Sequence, residues 1–175
     1  MKNTIATFVL LLGLIFGSGI YAQMAEAQQS IWDISEEAKV NTTQYAVWNY
    51  LNDAKMLKQL SNGYVKSVSI IEDNTPPSIK VLFTKGNNRS GKIVQSDVVN
   101  KFMVIKINKE SLPKGVKEGE IAIFTKSEGK NKSSINWKAK IVGNKQGKQI
   151  LFNQLKAEFE AYKIGFSKLS EVAKN

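Results

Sequence analysis

The sequence predicts an α+β fold, in which a curved antiparallel sheet of about seven strands is covered by one long C-terminal helix. Two short helices are predicted after the first strand. Near the C terminus, large apolar residues recur at spacings of three and four, which is typical of an amphipathic helix. Before them, nearly eighty residues form short apolar runs separated by clusters of turn-forming residues. The alternation within these runs favours antiparallel strands with one face in water.

Residues 1–27 have the layout of a secretory signal peptide. Lys2 supplies a positive charge, residues 5–16 are almost wholly apolar, and small residues allow cleavage after Ala22 or Ala27. An uncleaved N-terminal anchor is the alternative, although the apolar run is short for a membrane span. The chain is therefore predicted to be exported, to the periplasm or the extracellular space. Residues 28–175 are predicted to form a single domain.

The domain is predicted to begin with a strand over residues 31–40, where apolar and polar residues alternate. Glu36 shares the parity of the apolar residues, which indicates a β-bulge or, alternatively, a position near a pocket mouth. Asn41 and Thr42 then suit the N-cap of a helix. Two short helices follow, the first through Tyr45, Trp48 and Leu51 and the second over residues 55–60.

Six further strands and the closing helix complete the predicted domain. The strands are predicted over residues 64–72, 78–84, 89–97, 101–108, 119–127 and 133–142. The helix is predicted over residues 146–172, and its apolar stripe consists of Leu151, Leu155, Phe159, Tyr162, Phe166 and Leu169. Burying six such side chains contributes about 10 kcal/mol before conformational entropy is subtracted. This helix therefore needs a broad apolar partner, which one face of the sheet provides.

The chain is strongly basic, with 25 Lys and Arg against 15 Asp and Glu and a net charge of +10. All its basic residues except Arg89 are lysines, and residues 129–157 carry lysines but no acid. A solvated face that keeps the protein soluble is one interpretation. Binding to an anionic surface such as lipid head groups is the other. Nucleic acid is not expected as a partner, because base edges and phosphates are usually read by arginine.

The composition excludes several kinds of catalytic site. The chain has no His and no Cys, which removes the commonest general base, the usual zinc sites and thiol nucleophiles. No metal or cofactor is predicted. Acid–base chemistry would depend on a buried carboxylate or a tyrosine, and nothing in the spacing of the candidates pairs them. These candidates are Glu36, Asp53, Asp97 and Tyr162.

The order of these elements resembles that of a known superfamily. The resemblance rests on NTTQYAVWNYLND at residues 41–53, GKIVQSD at residues 91–97 and SINW at residues 134–137. Through them, residues 28–175 resemble the START-like, helix-grip (SRPBCC) superfamily. This superfamily includes polyketide cyclase/dehydratase-like proteins and birch-pollen-allergen-like proteins.

The resemblance implies a hydrophobic cavity beneath the last helix that holds a lipid-, sterol- or polyketide-like molecule. The ligand-binding candidates that it implies are Val81, Phe83, Ile135, Trp137, Leu155, Phe159, Tyr162 and Phe166. Such folds host binders, transporters and enzymes alike. The favoured hypothesis is a non-enzymatic carrier of the cell envelope. One alternative is a cyclase- or dehydratase-like enzyme that uses Tyr162 or a cavity carboxylate, and a weaker one is an anionic-surface module with a lysine-rich hairpin.

Overall fold

The computed structural model describes residues 32–72 and 74–172. The predicted signal peptide and the cleavage positions lie outside these residues. The strands are β1 (Ile34–Val40), β2 (Val65–Ile71), β3 (Ser78–Phe83), β4 (Asn88–Asp97), β5 (Phe102–Ile107), β6 (Val116–Gly129) and β7 (Lys132–Gly143). The helices are α1 (Gln44–Leu51), α2 (Ala54–Leu60) and α3 (Lys145–Val172), with a single 3-10 turn at Lys109–Ser111.

All seven strands form one sheet in the order β1-β7-β6-β5-β4-β3-β2, and every pairing is antiparallel. The sheet is a curled half-barrel that holds α3, with α1 and α2 following β1. This confirms the predicted α+β fold class and the order of its elements. Within the described residues, no helix has the length and hydrophobicity needed to cross a membrane.

The long helix lies on the sheet through the stripe that the sequence predicts. Leu151, Leu155 and Phe166 have no exposed surface, and Phe159 and Tyr162 are also buried. Facing them are inward residues of the sheet, including Ile135 and Trp137 of β7, whose indole ring lies 5.8 Å from the Phe166 ring. The helix therefore buries its apolar face in a single continuous core.

Two local predictions near β1 are wrong. The N-cap of α1 is Thr43, whose hydroxyl accepts the backbone N–H of Ala46 at 3.2 Å, rather than Asn41 or Thr42. Glu36 is not at a bulge, because β1 pairs with β7 in unbroken register from Ile34 to Val40. Glu36 points to the inner side but is partly exposed, and its carboxylate lies 3.4 Å from the ammonium of Lys163 on α3.

Candidate functional site

A small cavity lies between α3 and the inner face of the sheet, with a volume of about 50 Å³. Its wall is mainly apolar, with a polar group of side chains on one side. The apolar wall consists of Leu51, Leu57, Ile79, Val81, Gly91, Ile105, Ile107, Ile121, Ile123, Trp137 and Phe159, and the polar group of Arg89, Ser90, Glu158 and Tyr162. This space is large enough for only a few water molecules. It is smaller than the roughly 300–1,000 Å³ of typical ligand sites.

The eight predicted ligand-binding residues are all buried, but they divide into three groups. Four of them line the cavity: Val81, Trp137, Phe159 and Tyr162. Phe83 lines a neighbouring surface pocket instead. Ile135, Leu155 and Phe166 belong to the surrounding core and do not line the cavity. Their ligand-binding roles remain predictions.

A bidentate ion pair forms the polar side of the cavity. The two terminal nitrogens of Arg89 donate to the carboxylate oxygens of Glu158 at 2.5 and 2.7 Å. Only 12% of the Arg89 side chain and 6% of the Glu158 side chain are exposed. Arg89 points inward because it pairs in register with Val81 of β3, and direct partners of an antiparallel pair share a face. Glu158 lies one turn before Tyr162 on the buried face of α3.

Arg89 also separates the cavity from a surface pocket of about 220 Å³. Its guanidinium carbon lies 5.3 Å from the centre of the Phe83 ring, which lines the pocket together with Tyr64 and Gln154. A second surface pocket of about 280 Å³ shares Leu51 and Ile79 with the cavity at another side. The cavity is therefore separated from solvent by few side chains on either side.

The ion pair governs the electrostatics of this site. Burial alone would lower the pKa of Arg89, but the charge and hydrogen bonds of Glu158 outweigh burial and raise it. The pKa of Tyr162 is raised strongly, first by burial and then by the negative charge of Glu158, while Arg89 opposes the shift. The pKa of Tyr64 is raised by the same causes in the same order. The site thus keeps its tyrosines neutral and its arginine charged.

We expect Tyr162 to make the protein less stable in alkali. Its ordinary pKa is 10.0, so above that pH the unfolded chain loses a proton that the folded protein retains. The stability that Tyr162 contributes is therefore complete below about pH 10 and is lost as pH rises towards its higher folded-state pKa. Urea unfolding at a series of pH values should show a shallower alkaline decline for Tyr162→Phe. Tyr45→Phe, at a site 66% exposed, is the control and should leave the decline unchanged.

None of the three carboxylates considered from the sequence lines the cavity. Asp53 caps α2 by accepting the backbone N–H groups of Lys55 and Met56. Asp97 accepts two hydrogen bonds from Asn100, which lower its pKa, in an exposed turn. Glu36 pairs with Lys163. Among the described residues, no cluster of acidic side chains is suited to hold a metal ion.

Sequence reasoning missed Arg89 and Glu158 as site residues. Arg89 carried one signal, since it is the only arginine in a chain that otherwise uses lysine. Glu158 lies three residues after Leu155 and four before Tyr162, a spacing that places it on the apolar face of the helix. Neither signal pairs the two residues, which lie 69 positions apart in the chain.

Comparison with known proteins places the fold among solved structures. No protein-family model matches the sequence, and no curated protein is significantly similar to it. The ZhuI aromatase/cyclase from Streptomyces sp. R1128 is similar in structure, with a TM-score of 0.64 and 10% identity over 81% of this chain and 94% of that one. Norcoclaurine synthase from Thalictrum flavum has a TM-score of 0.59 and 20% identity, over 81% of this chain and 95% of that one.

The di-domain aromatase/cyclase BexL, from the BE-7585A biosynthetic pathway, matches with a TM-score of 0.63 and 10% identity. The match covers 75% of this chain and 45% of BexL, so the chain spans less than half the length of that protein. At these identities the likenesses establish the architecture and not the activity. With its seven-stranded sheet curled around α3, the chain has the START-like, helix-grip fold.

Proposed function

We propose that this protein binds a hydrophobic small molecule with one polar end, between the sheet and α3. The observation that carries the proposal is the apolar cavity with a single buried ion pair in its wall. Ligand sites are mostly apolar, with a few polar groups that fix orientation. Arg89, Glu158 and the Tyr162 hydroxyl are the groups available to a polar end. The named neighbours support a small aromatic or polyketide-like ligand, since one norcoclaurine synthase structure contains dopamine and hydroxybenzaldehyde.

The cavity has to enlarge to accept such a molecule. The two surface pockets flank it, one across Arg89 and Phe83 and the other across Leu51 and Ile79. If these side chains move aside, the joined space falls within the range of about 300–1,000 Å³ found for ligand sites. Binding therefore requires this space to widen beyond its volume in the present structure.

The carrier is proposed to act outside the cytoplasm. The support is the signal-like layout of residues 1–27, with its positive start, apolar run and small residues before the cleavage positions. Native mass spectrometry of the protein isolated from its own cells tests both proposals at once. The mass of the chain shows whether cleavage follows Ala22 or Ala27. A second, heavier species identifies the bound molecule.

A matched pair of variants tests whether the ligand occupies the cavity. Phe159 and Phe166 are both buried on the same face of α3, but only Phe159 lines the cavity. Phe159→Leu enlarges the cavity in advance, so a neutral apolar fluorescent probe, N-phenyl-1-naphthylamine, should bind about 4-fold more tightly. This factor corresponds to roughly 0.8 kcal/mol, the burial of one methylene group. Phe166→Leu should leave the affinity unchanged.

Three results would contradict the binding proposal. One is a clean ligand-free mass together with no uptake of the probe by the unaltered protein. Another is equal tightening by Phe159→Leu and Phe166→Leu, which would place the probe outside the cavity. The third is unaltered affinity in Phe159→Leu when thermal unfolding shows that the variant is folded.

A cyclase- or dehydratase-like enzyme is the second candidate. Tyr162 and Glu158 both line the cavity, which supports it, as do neighbours named aromatase/cyclases. Against it, the raised pKa of Tyr162 makes the phenol a weak acid near neutral pH, and both oxygens of Glu158 are held by Arg89. The test uses the molecule released from the native protein. If the unaltered chain converts it into a product and Tyr162→Phe does not, the protein is an enzyme and not only a carrier.

A further inference from the structure

One end of the sheet exposes two valines at the tip of the turn between β4 and β5. Val98 is 63% exposed and Val99 is 87% exposed. The turn is held in place by its own polar groups, since Asp97 accepts the backbone and side-chain N–H groups of Asn100. The ammonium of Lys101 also donates to the carbonyl oxygen of Val98. The valines are thus held outward by an ordered turn.

Several lysines lie at the same end of the sheet as this apolar tip. The backbone N–H of Thr125 in β6 donates to the carbonyl of Lys101 at 3.1 Å, which places the far part of β6 beside the turn. The hairpin between β6 and β7 extends from there. Ser134 of β7 pairs with Lys126 of β6 on one side and with Lys39 of β1 on the other, so the two lysines lie on the same face of the sheet. We call this region the docking end, defined by Val98, Val99, Lys39, Lys101, Lys126, Lys130 and Lys132.

Two acids next to the docking end, Asp97 and Glu128, already have partners. Asp97 is bonded to Asn100, and Glu128 lies 3.4 Å from the ammonium of Lys126 and accepts from Ser134. Tyr45, at the start of α1, is 66% exposed and has the Lys101 ammonium 5.9 Å from its ring centre. The region therefore combines an apolar tip, an exposed tyrosine and an excess of positive charge.

We propose that the docking end binds the surface of an anionic lipid bilayer. The valines enter the boundary between head groups and acyl chains, and the lysines lie against the negative surface. Tyrosine is enriched at this boundary because its ring is apolar and its hydroxyl polar. A bilayer fits better than a protein groove or nucleic acid, because the valines are exposed at the tip of a turn and the cations are all lysines. A carrier of apolar molecules would thereby be brought to a membrane.

The absence of Cys from the chain makes a local test possible. In the full-length protein, Val99→Cys is labelled with the environment-sensitive fluorophore NBD. Val142→Cys, at a 41% exposed position near the other end of β7, is the matched control. With vesicles of phosphatidylcholine and phosphatidylserine, NBD emission at position 99 should shift to the blue. It should stay water-like at position 142, and on vesicles of phosphatidylcholine alone it should stay water-like at both positions.

The contribution of charge is measured with the same label. Lys130→Gln/Lys132→Gln should raise the lipid concentration needed for half of the shift by about 30-fold. Each lysine near an anionic surface contributes roughly 5-fold to the affinity for the vesicles. Lys114→Gln/Lys117→Gln removes the same charge away from the docking end and should have little effect. Raised salt should weaken the shift as well.

Several results would overturn the proposal. If NBD emission at position 99 remains water-like with anionic vesicles, the valines do not enter the bilayer. Attachment through the apolar N-terminal run alone would give this result, because it would not change the surroundings of that label. Equal shifts at positions 99 and 142 exclude a specific docking end. A shift that appears with protein concentration instead of with vesicles assigns the surface to a second copy of the chain.

Discussion

Replacing Arg89 with methionine is expected to destabilise the protein by about 3–5 kcal/mol, because the carboxylate of Glu158 is then buried without a partner. The side chain of Glu158 is 6% exposed, and both its oxygens receive hydrogen bonds only from Arg89 among the described residues. Urea unfolding followed by tryptophan fluorescence measures the loss. An effect this large would show that the ion pair is part of the fold as well as of the proposed site.

A double variant distinguishes the effect of losing the ion pair from the effect of leaving the Glu158 carboxylate buried without a partner. Arg89→Met/Glu158→Leu removes both charges and keeps similar volume, so it should recover most of the stability. Lys163→Met provides a surface control, since its bonds to Glu36 and Glu160 join partly exposed groups and are worth about 0–1 kcal/mol. A double variant as unstable as Arg89→Met would mean that methionine fails for steric reasons and that the electrostatic account is wrong.

The fold was predictable because two periodicities dominate this sequence. Steps of three and four placed Leu151, Leu155, Phe159, Tyr162 and Phe166 on one helical face, and all five are buried. Alternation in residues 133–142 likewise placed Ile135 and Trp137 inward. Burial of a whole face tolerates errors at single positions, which explains why element order was recovered.

Single residues at element ends were less predictable. The N-cap of α1 is Thr43 and not Asn41 or Thr42, because three successive polar residues offer the same cap chemistry. The backbone conformation at the start of the helix selects among them. Glu36 could occupy an inward position without a bulge because β1 is an edge strand beside α3. Its carboxylate therefore reaches the partly exposed Lys163.

The candidate site was predictable only on its apolar side. Hydrophobic periodicity indicates which residues are inside, and it located Val81, Trp137, Phe159 and Tyr162 near the cavity. It gives no information about a charged pair between distant segments, so the pairing of β4 with α3 through Arg89 and Glu158 was not visible. The volume of the cavity depends on how side chains fill the space, which composition does not determine.

Gly165→Ala is expected to destabilise the protein by about 2 kcal/mol or more, although alanine normally favours a helix. In a helix interior, replacing glycine with alanine gains about 1 kcal/mol. At this position, however, an added Cβ would lie 1.8 Å from the carbonyl oxygen of Leu60 and 2.6 Å from its carbonyl carbon. Both are backbone atoms at the end of α2, so the helices have to separate. Overpacking of this kind costs about 1–3 kcal/mol, and sometimes more.

The same helix offers a control with the opposite expected sign. Ser167→Ala changes an exposed position two residues later, where the serine hydroxyl bonds the carbonyl of Ile164. Alanine should be neutral or stabilising there by a few tenths of a kcal/mol. If Gly165→Ala raised the urea midpoint as Ser167→Ala does, α2 and α3 would not be in contact through Leu60. Because Leu57 of α2 lines the cavity, a loosened contact should also let the apolar probe bind more readily to Gly165→Ala.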